Sequence, residues 1–249
     1  MKKNQDARSD LQELAGIARA RAAFYAFLNL HFTTLPDEKF VRRLRNGELN
    51  NVLETLQHDV SDKEDISNGA ALMSAYLEKM QVADHTQVVQ DLGVDRTRLY
   101  RGVAKGYGPP PPYEMVWIRE AQDYGILQVV ASAYRQVGLE PSPEVKERLD
   151  YISVEIDFIR ELALREAAAW ESGDETTAGS LLATQEAFMR LHLGNWAPDF
   201  IEKALDYAKT DFYRGHLYML RGFISNDRQD LAELVEGLGM RPELEVIES

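Results

Sequence analysis

The sequence predicts an all-α protein. Three observations carry that prediction: apolar residues recur at helical spacing in almost every segment, period-two alternation is nearly absent, and glycines, prolines and short polar clusters separate the periodic stretches. At 249 residues, 45% hydrophobic and 28% charged, the chain is long enough for one large or two small domains with a sizeable core.

In the first long segment Leu14, Ile17, Phe24 and Leu28 share a stripe, and Ser9 or Asp10 is placed to cap its start. Helices are expected next at about 37–46, 48–60, 67–82 and 86–101, separated by turns such as RNG and SDKED. The stretch YGPPPPYEMVW, residues 107–117, then interrupts the helical pattern. Beyond it, REAQDYGILQVVASAYRQVG reads as a helix ended by Gly138, and LEPSP leads into a long helix from Pro143 to about Glu171. A helix over about 174–193 and three shorter ones within 198–239 complete the chain. The expected organisation is two helical halves, 1–138 and 139–249, hinged at LEPSP and forming one compact unit. No fixed-period repeat is present, which excludes a solenoid.

Composition narrows the function. The chain has 41 acidic and 28 basic residues, a net charge of −13, which repels nucleic acid and anionic membrane and favours a cationic partner. It has no cysteine, hence no disulfide, thiolate metal site or cysteine nucleophile. The opening MKKNQDARSDLQEL lacks a signal-peptide apolar run, and no stretch of about 18 apolar residues occurs, so a cytoplasmic location is expected. Phosphate-loop, dinucleotide, zincin and serine-hydrolase signatures are all missing. None of His31, His58, His85, His192 and His216 follows a Glu by three residues, as a di-iron bundle would require, so all are expected as core or surface residues. Neither metal nor cofactor is expected.

Two stretches stand apart. Pro109 to Pro112 fix φ and lack N–H donors, which forces an extended, polyproline-like run, with Tyr113, Glu114, Met115 and Trp117 directly after it. Such a run can wall a groove for an extended peptide, serve as a rigid crossover whose aromatics are core, or itself be read by a proline-binding domain. Further on, Leu149, Ile152, Ile156 and Ile159 form a stripe on the expected long helix, and Glu147, Asp150 and Tyr151 project from one flank within about 100°. Carboxylates so placed accept bidentate hydrogen bonds from arginine, or simply favour the helix start electrostatically.

Four segments, in order, resemble the TorD/DmsD family of cytoplasmic chaperones: TRLYRGVAKGYGPPPPYEMVW, YRQVGLEPSPEVKERLDYISVEIDFI, HLGNWAPDF and DFYRGHLYMLRGF, together spanning residues 96–223. The resemblance implies a helical two-part fold with a hinge and no enzymatic activity. The implied partners are a twin-arginine signal peptide and the catalytic subunit of a molybdopterin-containing oxidoreductase, with the chaperone a monomer or a domain-swapped homodimer. The implied peptide site comprises Tyr113, Glu114, Trp117, Gly138, Glu147, Asp150 and Tyr151, in a groove between the halves; a small-molecule or nucleotide binder using that groove is the alternative. Where the family reads Glu-Pro-x-Asp-His, this chain has Glu147, Arg148, Leu149, Asp150 and Tyr151. The acidic pair is kept, but no titratable imidazole is available there.

Overall fold

The computed structural model describes residues 2–58, 64–102, 104, 106–118, 125–140 and 147–239, with side chains given except at residues 2–8 and His58. Eleven helices occur among the described residues, and no strand: α1 Lys2–Thr33, α2 Glu38–Arg45, α3 Asn50–His58, α4 Glu64–Met80, α5 His85–Tyr100, α6 Glu114–Trp117, α7 Gly125–Gln136, α8 Ile152–Ser172, α9 Glu175–Leu191, α10 Leu193–Tyr207 and α11 Asp211–Gly237. The all-α class is as expected. Several starts follow simple capping chemistry, with Asp37, Asp84 and Asp174 accepting from the N–H groups of Phe40, Gln87 and Thr177. Each such cap contributes about 1 kcal/mol.

The chain divides into two units. The first gathers Met1–Asn29, Asp123–Asn195 and Asp227–Ser249, so the expected boundary at 138/139 falls inside it. Its centre is the α8–α9 hairpin. Gly173, at φ +78°, lets its own N–H reach the carbonyl of Trp170 (3.1 Å) while Asp174 N–H reaches that of Ala169 (2.9 Å), a Schellman ending that turns the chain directly into the Asp174 cap. Ile156, Ile159, Ala163 and Ala167 of α8 and Ala178, Leu182 and Ala187 of α9 are fully buried. From α7, Tyr134 stacks on Phe158 at 4.1 Å and donates to the Val154 carbonyl (2.8 Å).

An ionic network occupies the interior of this unit. The Arg21 guanidinium donates to Asp227 (2.5 Å), Glu166 (3.2 Å) and Gln185 (3.0 Å). Tyr25 donates to Asp227 (2.5 Å), and Gln185 and Trp170 donate to Glu166 (2.8 and 3.1 Å). Burial opposes the charge on Arg21, but Asp227 and Glu166 outweigh it and hold the guanidinium above its ordinary pKa.

The second unit is Leu30–Gln122 with Trp196–Asn226, and its core is aromatic. Phe32, Tyr100, Phe212 and Tyr213 are buried together with His31 and His216. The His31 and His216 rings meet at 4.8 Å, and Tyr100 Oη lies 2.9 Å from His216 Nδ1. Burial first, and then the neighbouring His216, pushes the pKa of His31 well below the ordinary imidazole value. Two adjacent residues of α5 tie this core to helix ends. Asp95 accepts from the N–H groups of Lys209 (3.0 Å) and Thr210 (2.8 Å) at the start of α11, and Arg96 donates to the Phe32 carbonyl in the last turn of α1.

Three expectations need correction. α1 begins at Lys2, which places Ser9 and Asp10 inside the helix rather than at its cap. The expected three short helices within 198–239 are instead the second part of α10 and the single long α11. Pro198 does not start a helix but sits inside α10, and the Gly194 carbonyl, for which it has no N–H, accepts from Arg228 at 3.0 Å. The expected helix from Pro143 begins only at Ile152, with residues 141–146 outside the described set.

Candidate peptide-binding site

The four prolines leave the helical path as expected. Gly108 makes the close approach possible: a Cβ there would lie 2.0 Å from the Arg98 carbonyl of α5. Pro109 and Pro112 are buried while Pro110 is exposed, so the first and last rings, three residues apart, anchor the strap. The Pro111 carbonyl accepts from Tyr113 N–H (2.9 Å) and from Trp117 Nε1 (3.0 Å), which folds the chain back into the one-turn α6. Trp117 sets its edge against Phe200 of α10 at 5.7 Å. Tyr113, Met115 and Trp117 are half-buried, Glu114 is buried, and Val116 is 45% exposed. Anchored at both ends, this stretch is a crossover whose Trp117 packs on the second unit, one of the alternatives the sequence left open.

Strap and preceding loop enclose an apolar cleft of about 480 Å³ within the second unit, lined by Gly102, Ala104, Gly106, Gly108, the first three prolines and Tyr207. Arg98 lies over the ring of Tyr107 at 5.2 Å and pairs with Asp95 at 2.7 Å. The rings of the Tyr113–Trp117 stretch are not part of that lining.

Gly138, Glu147, Asp150 and Tyr151 belong to the first unit, whereas Tyr113, Glu114 and Trp117 belong to the second. Gly138 (φ +65°) closes α7 as expected. The flank of a helix expected at residues 147–151 is not there. Tyr151 N–H donates to the Arg148 carbonyl in a turn, and Tyr151, in an extended conformation, is the N-cap of α8. The physical reason is visible in the side chains: Arg148 clasps Asp150 through two bonds, 2.9 and 2.5 Å, a pairing of residues i and i+2 that a helix would point apart. The Asp150 carboxylate is wholly buried and Arg148 is partly exposed. Glu147 is half-buried and Tyr151 buried. An arginine from a ligand would therefore meet an Asp150 that already holds a guanidinium.

Sequence reasoning missed Asp95, Arg96 and Arg98, which look like ordinary surface charge on a helix. Only the clustering of three charges in DRTR signalled them. Among the described residues no three His, Asp or Glu side chains are gathered to hold a metal, and no helix is long and apolar enough to cross a membrane.

A family model described as nitrate reductase delta subunit matches residues 62–202, more than half of the chain. The chain is similar to the chaperone protein TorD of Vibrio cholerae serotype O1 (strain ATCC 39541 / Classical Ogawa 395 / O395), 23% identical over 231 residues covering 91% of this chain and 98% of the relative. The TorD chaperone of Vibrio parahaemolyticus is 24% identical over 222 residues, covering 87% and 97%. That of Photobacterium profundum is 27% identical over 124 residues, about half of each chain. With the four ordered segments of residues 96–223 lying on an all-helical fold, the chain belongs to the nitrate reductase delta subunit family, in which the TorD chaperones stand.

Proposed function

We infer that this protein is a cytoplasmic, non-enzymatic chaperone for a molybdopterin-containing oxidoreductase. It binds the twin-arginine signal peptide or the cofactor-free catalytic subunit, aids cofactor insertion and delays export. The observation that carries this reading is similarity to TorD chaperones over nearly their whole length. The net charge of −13 supports it, because such a field speeds the encounter with a cationic peptide more than it strengthens the complex.

The residues proposed to contact the peptide fall in two sets, one in each unit. Tyr113 and Trp117, on the anchored strap, offer apolar contact beside Glu114; Glu147, Asp150 and Tyr151, with Gly138 closing the preceding helix, offer acceptors for arginine. Because Arg148 already clasps Asp150, the peptide arginine binds by exchange: its guanidinium replaces one that swings into solvent. An exchange of one charge pair for another yields little net energy, and exposed pairs contribute only about 0–1 kcal/mol, so apolar contact supplies most of the affinity.

Co-purification tests the reading. The chain should retain the precursor of a molybdoenzyme catalytic subunit produced without cofactor and should release the mature, cofactor-loaded enzyme. Equal retention of both forms, or of neither, rejects it.

A further inference from the structure

The α3–α4 hairpin of the second unit carries a groove of about 470 Å³ that shares no residue with the proposed peptide site. Its walls follow helical periodicity. Asn50, Glu54 and Gln57 lie at i, i+4 and i+7 on α3, and Ser74, Leu77, Glu78 and Gln81 at i, i+3, i+4 and i+7 on α4. The two helices pack on each other, and so short a connection between packed helices makes them antiparallel. Gln57 Nε2 donates to Ser74 Oγ at 2.7 Å, which closes one end of the groove and sets the register. Counting away from that bridge brings Glu54 level with Leu77 and Glu78, and Asn50 level with Gln81.

The groove thus sets one exposed carboxylate on each wall over a buried leucine floor. Among the described residues neither Glu54 nor Glu78 is in an ion pair or hydrogen bond, and no basic residue lines the groove. The cations nearby are committed elsewhere: Lys79 pairs with Asp211 at 3.6 Å, and Arg45 donates to the carbonyls of Met80 (2.9 Å) and Ala83 (2.7 Å). Two like charges at one level repel, and a cation placed between them relieves that repulsion as it binds. The carboxylates only accept, and the carboxamides of Asn50 and Gln81 add neutral acceptors. Such a slot suits the planar N–H fork of a guanidinium better than the point charge of an ammonium, and the arginine stem lies along Leu77. At the open end Gln81 is followed by Val82, which is 93% exposed and offers an apolar contact to the residue beside that arginine.

We propose that this groove binds an arginine side chain of a partner polypeptide, seated between Glu54 and Glu78 with an apolar neighbour against Val82. The inference stands apart from the signal-peptide reading. There the acceptors Glu147 and Asp150 belong to the first unit, and Asp150 already holds Arg148. Here an arriving guanidinium displaces no guanidinium of the chain's own.

The probe is acetyl-SRVLGS-amide, titrated into the full-length protein beside versions with lysine or glutamine in place of arginine. The side-chain amide NMR signals of Asn50, Gln57 and Gln81 locate the site. The arginine peptide should shift those signals and bind about tenfold more tightly than the glutamine peptide, with the lysine peptide between them. Glu54→Gln combined with Glu78→Gln, both at exposed positions, should remove the preference and leave the melting temperature unchanged. No shift up to millimolar peptide, equal binding of the arginine and glutamine peptides, or a preference kept in the double variant overturns the proposal. Spermidine or calcium shifting the same signals as strongly as the peptide overturns it in favour of a small cation. Self-association of the protein alone, lost in the double variant, overturns it in favour of a second copy of the chain. A twin-arginine signal peptide titrated in parallel, read at Tyr113 and Trp117, reports on the signal-peptide reading separately.

Discussion

The interiors of the two units are built from different materials. The first holds an arginine, two carboxylates and a glutamine, joined by hydrogen bonds to Tyr25 and Trp170. The second holds rings, Phe32, Tyr100, Phe212 and Tyr213, with two imidazoles among them. A buried ion network fixes which helices meet and punishes loss of any one partner, because the remaining charge is stranded. A ring cluster tolerates small losses of contact but resists any charge placed within it. The same helical architecture is therefore vulnerable to different insults in its two parts.

The largest predicted effect falls on the ionic interior. Arg21→Met strands the Asp227 and Glu166 carboxylates and should cost about 3–5 kcal/mol in urea unfolding; adding Asp227→Asn should recover part of that loss, since it removes one stranded charge. In the ring-filled unit, Asp95→Ala removes the acceptor for two backbone N–H groups and the Thr210 hydroxyl at the start of α11, a loss of about 1–2 kcal/mol.

Acid sharpens the contrast. His31 is neutral when folded because burial depresses its pKa, whereas in the unfolded chain it titrates near pH 6.5. The unfolded state thus binds more protons as pH falls below about 6.5, and stability is lost over that range by up to about 1.4 kcal/mol per pH unit. His31→Leu should flatten the slope between pH 6.5 and 5, measured by denaturant titration at each pH; an unchanged slope contradicts the assignment.

The smallest stability effect, and the one that bears on function, is at Arg148. Arg148→Gln should lower the melting temperature by a few degrees through the uncovered Asp150 carboxylate. It should also tighten binding of a twin-arginine peptide several-fold, because no resident guanidinium needs displacing. Asp150→Asn should weaken the same binding.

What the sequence revealed was local chemistry. The helix starts near residues 37, 86 and 174, the helix-ending glycine at 138 and the departure from helix at Pro109 all follow from one residue and its near neighbours. What stayed hidden depends on distant partners. Pro198 inside α10 makes sense only with Arg228 on the Gly194 carbonyl, and Asp95 becomes a cap only through residues 114 and 115 positions away. At residues 147–151 the helical stripe misled, because apolar spacing outweighed a local Arg148–Asp150 clasp that a helix cannot make. Of the two carboxylates read as arginine acceptors, Asp150 already holds an arginine of the chain's own, Arg148.

The most direct measurement is calorimetric titration of the purified protein with a panel of twin-arginine signal peptides from molybdoenzymes, each beside a control with Lys-Lys in place of Arg-Arg. Binding at micromolar affinity or tighter to at least one peptide, weakened by the lysine exchange, is the predicted result. A folded protein that binds none of them, or binds both forms equally, contradicts the chaperone mechanism inferred here.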